Sequence, residues 1–176
     1  MTGLRARAVP ALLAGAVLAG SALPCGPARA ETVAGTAKAV EGDTVSVNGT
    51  EIRLFGIDAP DRGQTCENVR GQSYDCFALS SLALERLIGG REVSCEIKPS
   101  VGTAKLGVCK VEGRDLAGMM VNAGWALAYR RIAQDYAAIE AQAISRRRGM
   151  WAGRVEPPWQ WRSRRIGAKP ETPDGG

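Results

Sequence analysis

A chain of 176 residues, 45% hydrophobic and 23% charged, is long enough for one ordinary domain. It contains no histidine, which excludes mechanisms built on a His base or nucleophile. With no Cys-x-x-Cys spacing either, a structural zinc site is not expected. The formal net charge is +5.

Residues 1–30 read as a secretory signal peptide. Arg5 and Arg7 form a basic start, an Ala/Leu/Val/Gly run follows over 8–23, and Ala28-Arg29-Ala30 ends in a small-x-small cleavage pattern. The apolar run is short and interrupted by Gly15 and Gly20, so no membrane span is expected of it. Its removal takes away three of the 23 basic residues and no acid. The remainder then carries 20 basic residues against 18 acids, a net charge of +2.

The most informative stretch is 40–61, VEGDTVSVNGTEIRLFGIDAPD. Asn48-Gly49 is a strong two-residue hairpin signal. Val45 and Val47 before it, and Ile52 and Leu54 after it, alternate with polar residues, as two antiparallel strands require. Pairing Val47 with Thr50 sets Val45 opposite Ile52 and Thr44 opposite Arg53. Asp43 is then diagonal to Arg53, and Asp58 and Asp61 leave the open end of the second strand on the same side. Three carboxylates and an arginine meet at the rim of a small sheet. Hard oxygen ligands from two Asp favour Ca²⁺ or Mg²⁺, a guanidinium fork matches a phosphate, and a third carboxylate beside a metal suits the positioning of water. The same residues also make good turns for purely local reasons.

Cysteine usage agrees with export. Cys66, Cys76, Cys95 and Cys109 are an even set, compatible with three pairings. Residues 92–97 and 105–111 both alternate. If they form a hairpin, Cys95 and Cys109 face each other, and Cys66–Cys76 would close a loop beside the acidic cluster.

Three helices are predicted. Asp75 caps the first, which runs to Ile88 with Leu79, Leu82, Ala83 and Leu87 on one face and Gly89-Gly90 as its stop. Asp115 caps the second, with Leu116, Met119 and Met120 as core residues and Gly124 after it. The third covers about 133–147, presents Tyr136, Ile139 and Ala143, and stops at Gly149. Tyr129 would either stack on a base or pack at the rim. Trp151, Trp159 and Trp161 would either serve as stacking platforms beside the basic cluster or, the favoured reading, pin the C-terminal segment to the barrel. Between 146 and 169 eight basic residues accompany a single acid, Glu156, so this end either meets a polyanion or is a solvated helix end and tail. From 162 to 176 a polar, Pro- and Gly-rich sequence predicts a mobile basic tail.

Five short strands and three helices suit a small α+β Greek-key barrel. Gly42-Asp43-Thr44 followed by Arg53-Leu54-Phe55-Gly56-Ile57-Asp58-Ala59-Pro60 resembles the signature of the staphylococcal nuclease (thermonuclease) family. Gly113-Arg114-Asp115-Leu116 and Gly124-Trp125-Ala126 extend the resemblance, which covers roughly 36–161. It implies a five-stranded OB-fold barrel, an oligonucleotide-binding architecture, over 31–161. It also implies a Ca²⁺-dependent nuclease acting on single-stranded DNA or RNA. By position, Asp43, Asp58 and the backbone carbonyl of Ala59 match the Ca²⁺ ligands, Arg53 the arginine on the scissile phosphate, and Asp61 the general base or water-orienting group.

Two departures stand out. Asp61 occupies a position where the family has a glutamate and is one methylene shorter. Thr103-Ala104 stands where a Gly-Arg pair is usual, so a second phosphate-binding arginine is missing from that loop. The expectation is therefore a secreted or periplasmic, monomeric nuclease, weakened by these changes. The alternative is an inactive barrel that binds nucleic acid, another polyanion or an envelope partner.

Overall fold

The computed structural model describes residues 31–100 and 102–167; residues 1–30, expected to be a signal peptide, and the last nine residues lie outside them. The chain opens with a three-stranded meander of β1 (Thr32–Glu41), β2 (Thr44–Val47) and β3 (Thr50–Leu54). The register is the one the alternation predicts: Val47 pairs with Thr50, Val45 with Ile52 and Thr44 with Arg53. Asn48 and Gly49 turn the hairpin with φ of 48° and 84°. Both values are positive, as a type I′ turn demands. Two residues of β4 (Ile57–Asp58) and the small hairpin β5 (Thr65–Glu67) and β6 (Ser73–Asp75) lead into α1 (Cys76–Ile88). There follow β7 (Glu92–Lys98), β8 (Lys105–Val111), β9 (Arg114–Asp115), α2 (Leu116–Ala123), β10 (Leu127–Ala128), α3 (Ala137–Ser145), a 3-10 turn at Gly149–Ala152 and α4 (Pro158–Arg165).

The strands pair in the order β3-β2-β1-β7-β8, and β8 returns to pair parallel with β3. This closes a five-stranded mixed barrel of the OB type. Val45, Val47, Ile52, Leu54, Val93 and Val111 are buried, which is the inward half of each alternating strand. Closure brings the loop before β8 beside β3: Ile52 pairs with Lys105 and Arg53 with Leu106. Cys95 lies directly opposite Cys109 and is bonded to it. Cys66 is bonded to Cys76. Of the three pairings open to four cysteines, the hairpin register selects this one.

Helix caps follow the sequence closely. Asp75 Oδ1 accepts from Ala78 N, and Asp115 Oδ1 accepts from Ala117 N. Gly89 and Gly124 end α1 and α2 in the left-handed conformation. The face of α1 is rotated from the expected one: Ala83 and Leu87 pack against the core as expected, at its margin. Its buried stripe is Cys76, Ser80, Leu84 and Ile88, while Leu79 and Leu82 are 41% and 42% exposed. Ser80 qualifies for the core because its hydroxyl donates to Trp125 O at 2.6 Å. Cys76 qualifies because its sulfur is spent in the disulfide.

Two C-terminal expectations are corrected. The third helix is shorter, Ala137–Ser145, because the preceding residues form turns that bury Ala133 and Tyr136 without continuing a helix. The boundary expected at 161, with a mobile tail beyond it, falls inside a fourth helix. Pro158 begins α4, where a missing N–H costs nothing. Trp159 is 3% exposed in an apolar cluster with Cys66, Cys76, Leu127 and Met150. Gln64, fully buried, donates through Nε2 to Glu156 O at 2.7 Å. Burial and this hydrogen bond seat α4 on the barrel.

Candidate active site

The site is built first by the β2–β3 hairpin. Asp43 precedes β2 in a turn that also contains Gly42. A Cβ on Gly42 would lie 1.9 Å from Ser80 Oγ, so only glycine lets the turn approach α1 this closely. Leu54 N donates to Asp43 O at 2.7 Å, which extends the hairpin by one pair and sets the Asp43 side chain toward Arg53. Arg53 donates to Asp43 Oδ2 through Nε at 3.2 Å and Nη2 at 3.0 Å. The same Nη2 donates to Asp58 Oδ1 at 2.7 Å. Ala59 N donates to Asp43 Oδ2 at 3.3 Å. Asp43 and Asp58 are 4% and 1% exposed. The structure therefore brings Asp43, Arg53, Asp58 and Ala59 together as the hairpin register implies.

Asp58 belongs to β4, which pairs with β10 through Leu127. That pairing delivers the following residue pair, Ala128-Tyr129, to the same rim, and Tyr129 N donates to Gly56 O at 2.9 Å. Asp61 sits in the next turn, which Gln64 stabilises by accepting from Asp61 N at 3.1 Å.

The residue that sequence reasoning placed elsewhere is Arg162. Assigned to a tail, it lies instead in the centre of the acidic cluster. Its Nη2 donates to Asp58 Oδ2 at 2.6 Å and its Nη1 to Asp58 Oδ1 at 3.3 Å, while Nη1 also reaches Asp61 Oδ2 at 2.8 Å. Asp61 is thus joined to the cluster through Arg162. The contact spans more than 100 residues of sequence, so no local pattern signals it. The one available signal was the Pro157-Pro158-Trp159 run, which marks a helix start with an anchoring aromatic. Gln64 was also missed, since an uncharged polar residue in a turn carries no sequence mark.

Arg53, Arg162, Tyr129 and Ala104 line one cavity of about 230 Å³, with Leu54, Ile57, Leu106 and Ile132 as apolar wall. The ring of Tyr129 is 5.5 Å from that of Trp159, tilted by 39°. Thr103 and Ala104 line a neighbouring cavity with Glu41, Thr44 and Arg53.

Electrostatics follow from burial. The carboxyl of Asp58 is pushed up to about 6, mainly by its removal from water; Arg162 and Arg53 pull it back and Asp43 adds to the rise. Asp61 and Glu41 are also raised, burial again leading. Burial opposes the charge on Arg53 and Arg162. Their carboxylate partners outweigh it and hold both guanidinia above their ordinary value.

Among the described residues no group of three or more His, Cys, Asp or Glu side chains is arranged to hold a metal ion. The ion that the resemblance implies would rest on less: two carboxylates and a backbone carbonyl. By donor type the fit is good, because Asp43 and Asp58 offer hard oxygens that converge on a single nitrogen of Arg53. Both oxygens of Asp58 accept from Arg162 here, so an ion loaded there would compete with Arg162 for Asp58.

Comparison with known proteins adds two findings. The family model described as "Staphylococcal nuclease homologue" matches residues 51–153, more than half of the chain. The chain is also 29% identical, over 160 residues, to the succinoglycan biosynthesis protein ExoI of Rhizobium meliloti (strain 1021), an alignment covering 89% of this chain and 84% of that protein.

Proposed function

The chain belongs to the staphylococcal nuclease family, and we propose that it binds single-stranded DNA or RNA at the barrel rim and hydrolyses its phosphodiester bonds with the help of Ca²⁺. The observation that carries this reading is the convergence of Asp43 and Asp58 on Arg53 at the mouth of a cavity walled by Tyr129. Asp43, Asp58 and the carbonyl of Ala59 would hold the ion, which supplies Lewis-acid polarisation of a phosphoryl oxygen. Arg53, pinned by two carboxylates, offers its remaining donors to the phosphate without reorganising. Tyr129 lines the cavity with an aromatic ring on which a base can stack. Asp61, freed from Arg162, would orient the attacking water. The two disulfides suit an oxidising compartment. Among the described residues no helix is long and apolar enough to cross a membrane. Action outside the cytoplasm accords with the disulfides and with the signal segment read from the sequence.

The test is cleavage of denatured DNA and RNA by the disulfide-intact protein with Ca²⁺, with Mg²⁺ and with chelator. Ca²⁺-dependent cutting that disappears in Asp43→Asn, with the melting transition retained, is the expected result. Cutting that persists in the variant overturns the assigned site.

A second reading has its own support. The similarity to a protein named for succinoglycan biosynthesis, together with the guanidinium seated on Asp58, favours an inactive barrel that binds an acidic envelope polysaccharide. Absence of cleavage by folded protein, with saturable binding of such a polymer, would select it.

A further inference from the structure

We propose that Arg162 and Arg53 form a two-arginine clamp for the phosphodiester backbone, with Arg162 delivered by the C-terminal helix and the clamp able to bind without a metal ion. This rests on the nucleic-acid reading of the site and adds a residue and a binding mode to it.

Geometry carries the inference. The two guanidinia line the same 230 Å³ cavity, one from β3 and one from α4. Each is held from behind by carboxylates: Arg53 by Asp43 and Asp58, Arg162 by Asp58 and Asp61. Asp58 touches both and sets their separation. A guanidinium has five N–H donors in a rigid fork. The contacts of Arg162 with Asp58 and Asp61 use three of them, on Nη1 and Nη2. Its Nε–H and one Nη2–H are not used by those carboxylates. The contacts of Arg53 involve Nε and Nη2, so both hydrogens of Nη1 lie outside them. A tetrahedral anion with two charged or partly charged oxygens matches two such forks.

The placement of Arg162 is not that of a loose surface side chain. Trp159, one turn before it, is buried; Ser163 Oγ donates to Trp159 O at 2.9 Å; and Gln64 ties the segment before α4 to the turn that carries Asp61. Arg162 itself is 36% exposed, open to the cavity mouth. Ala104 lines the same cavity and contributes no charge.

The test is binding of a fluorescein-labelled oligothymidylate to the full disulfide-bonded protein in chelator, followed by anisotropy over a range of salt. Arg162→Gln is expected to weaken binding about tenfold and to reduce the salt slope by about one. Arg162→Lys keeps the charge but loses the fork, and its affinity should fall between the two. Adding Ala104→Arg to Arg162→Gln places a guanidinium back on the cavity and should restore most of the lost affinity. Thermal melts of each variant show whether α4 still docks. If Arg162→Gln fails to fold, Arg162→Lys decides. Wild-type affinity in a folded Arg162→Gln or Arg162→Lys, or tighter binding in either, overturns the clamp and leaves Arg162 as a cover over the acids. No binding by the wild-type protein at low salt overturns the nucleic-acid reading itself.

Discussion

Asp58 is the residue on which the cluster turns, because it is the most buried of the three acids and touches both arginines. Its carboxyl is pushed from 3.8 up to about 6, so the folded protein holds this proton more tightly than the unfolded chain does. The sign follows. Stability contributed by this group is fully present below about 3.8, falls as the pH rises toward about 6, and is lost above that. The whole change is on the order of 3 kcal/mol. Asp61 and Glu41, raised for the same reason, act in the same direction. Urea unfolding in chelator at pH 4 and pH 7 checks this. Wild-type stability relative to Asp58→Asn, which cannot titrate, should drop between the two; a constant difference would mean that the two guanidinia cancel the burial cost. Arg162 shows the limits of residue-by-residue reading. Asp43, Arg53 and Asp58 lie within 16 positions of one another; the hairpin register relates the first two, and Asp58 follows four residues after the second strand. Arg162 is related to them only by the docking of a helix.

At the scale of elements, the hairpin and the caps are local devices and were legible. The face of α1 was not. Of the expected stripe, Ala83 and Leu87 pack at the edge of the core while Leu79 and Leu82 are exposed, and the fully buried positions are Cys76, Ser80, Leu84 and Ile88. A disulfide and a hydroxyl-to-carbonyl bond to Trp125 turn two less apolar positions inward, and apolar counting has no access to either partner. The consequence is measurable. Leu84→Ala, at 0% exposure, should cost about 2–5 kcal/mol. Leu82→Ala, at 42% exposure, should stay within about 1 kcal/mol. Equal costs in urea unfolding would show that the helix packs on the face the sequence suggests. For α4 the misreading had a similar cause. Six of its eight residues are polar or proline, and only the two tryptophans mark it as something other than tail.

For the whole molecule, two disulfides complement a small barrel core. The Cys95–Cys109 bond joins paired strands of the barrel, and Cys66–Cys76 lies in the second apolar cluster beside Trp159. Each closes a short loop, with sequence separations of 14 and 10. Chain-entropy arguments assign each about 3 kcal/mol. Replacing both cysteines of a pair by serine should lower unfolding stability by about 2–4 kcal/mol in either case. The two variants should differ in function. Loss of Cys66–Cys76 loosens the cluster that seats α4, so it should also weaken oligonucleotide binding; loss of Cys95–Cys109 should leave binding close to wild type at temperatures where the protein stays folded. Equal binding losses in folded protein would mean that the second cluster does not position Arg162.

Much of this protein is settled by local sequence. Period-two alternation, an Asn-Gly turn, Asp caps and Gly stops act over a few residues, and they determine the hairpin, its register, the approach of Asp43 to Arg53 and the capped ends of α1 and α2. Tertiary structure alone decided three things: which face of α1 is buried, that α4 docks, and that Arg162 joins Asp58 and Asp61. Each depends on partners far along the chain, brought close only once β8 has closed the barrel against β3 and Trp159 has found its apolar pocket. A guanidinium gains nothing from carboxylates 100 positions away until folding has removed those carboxylates from water.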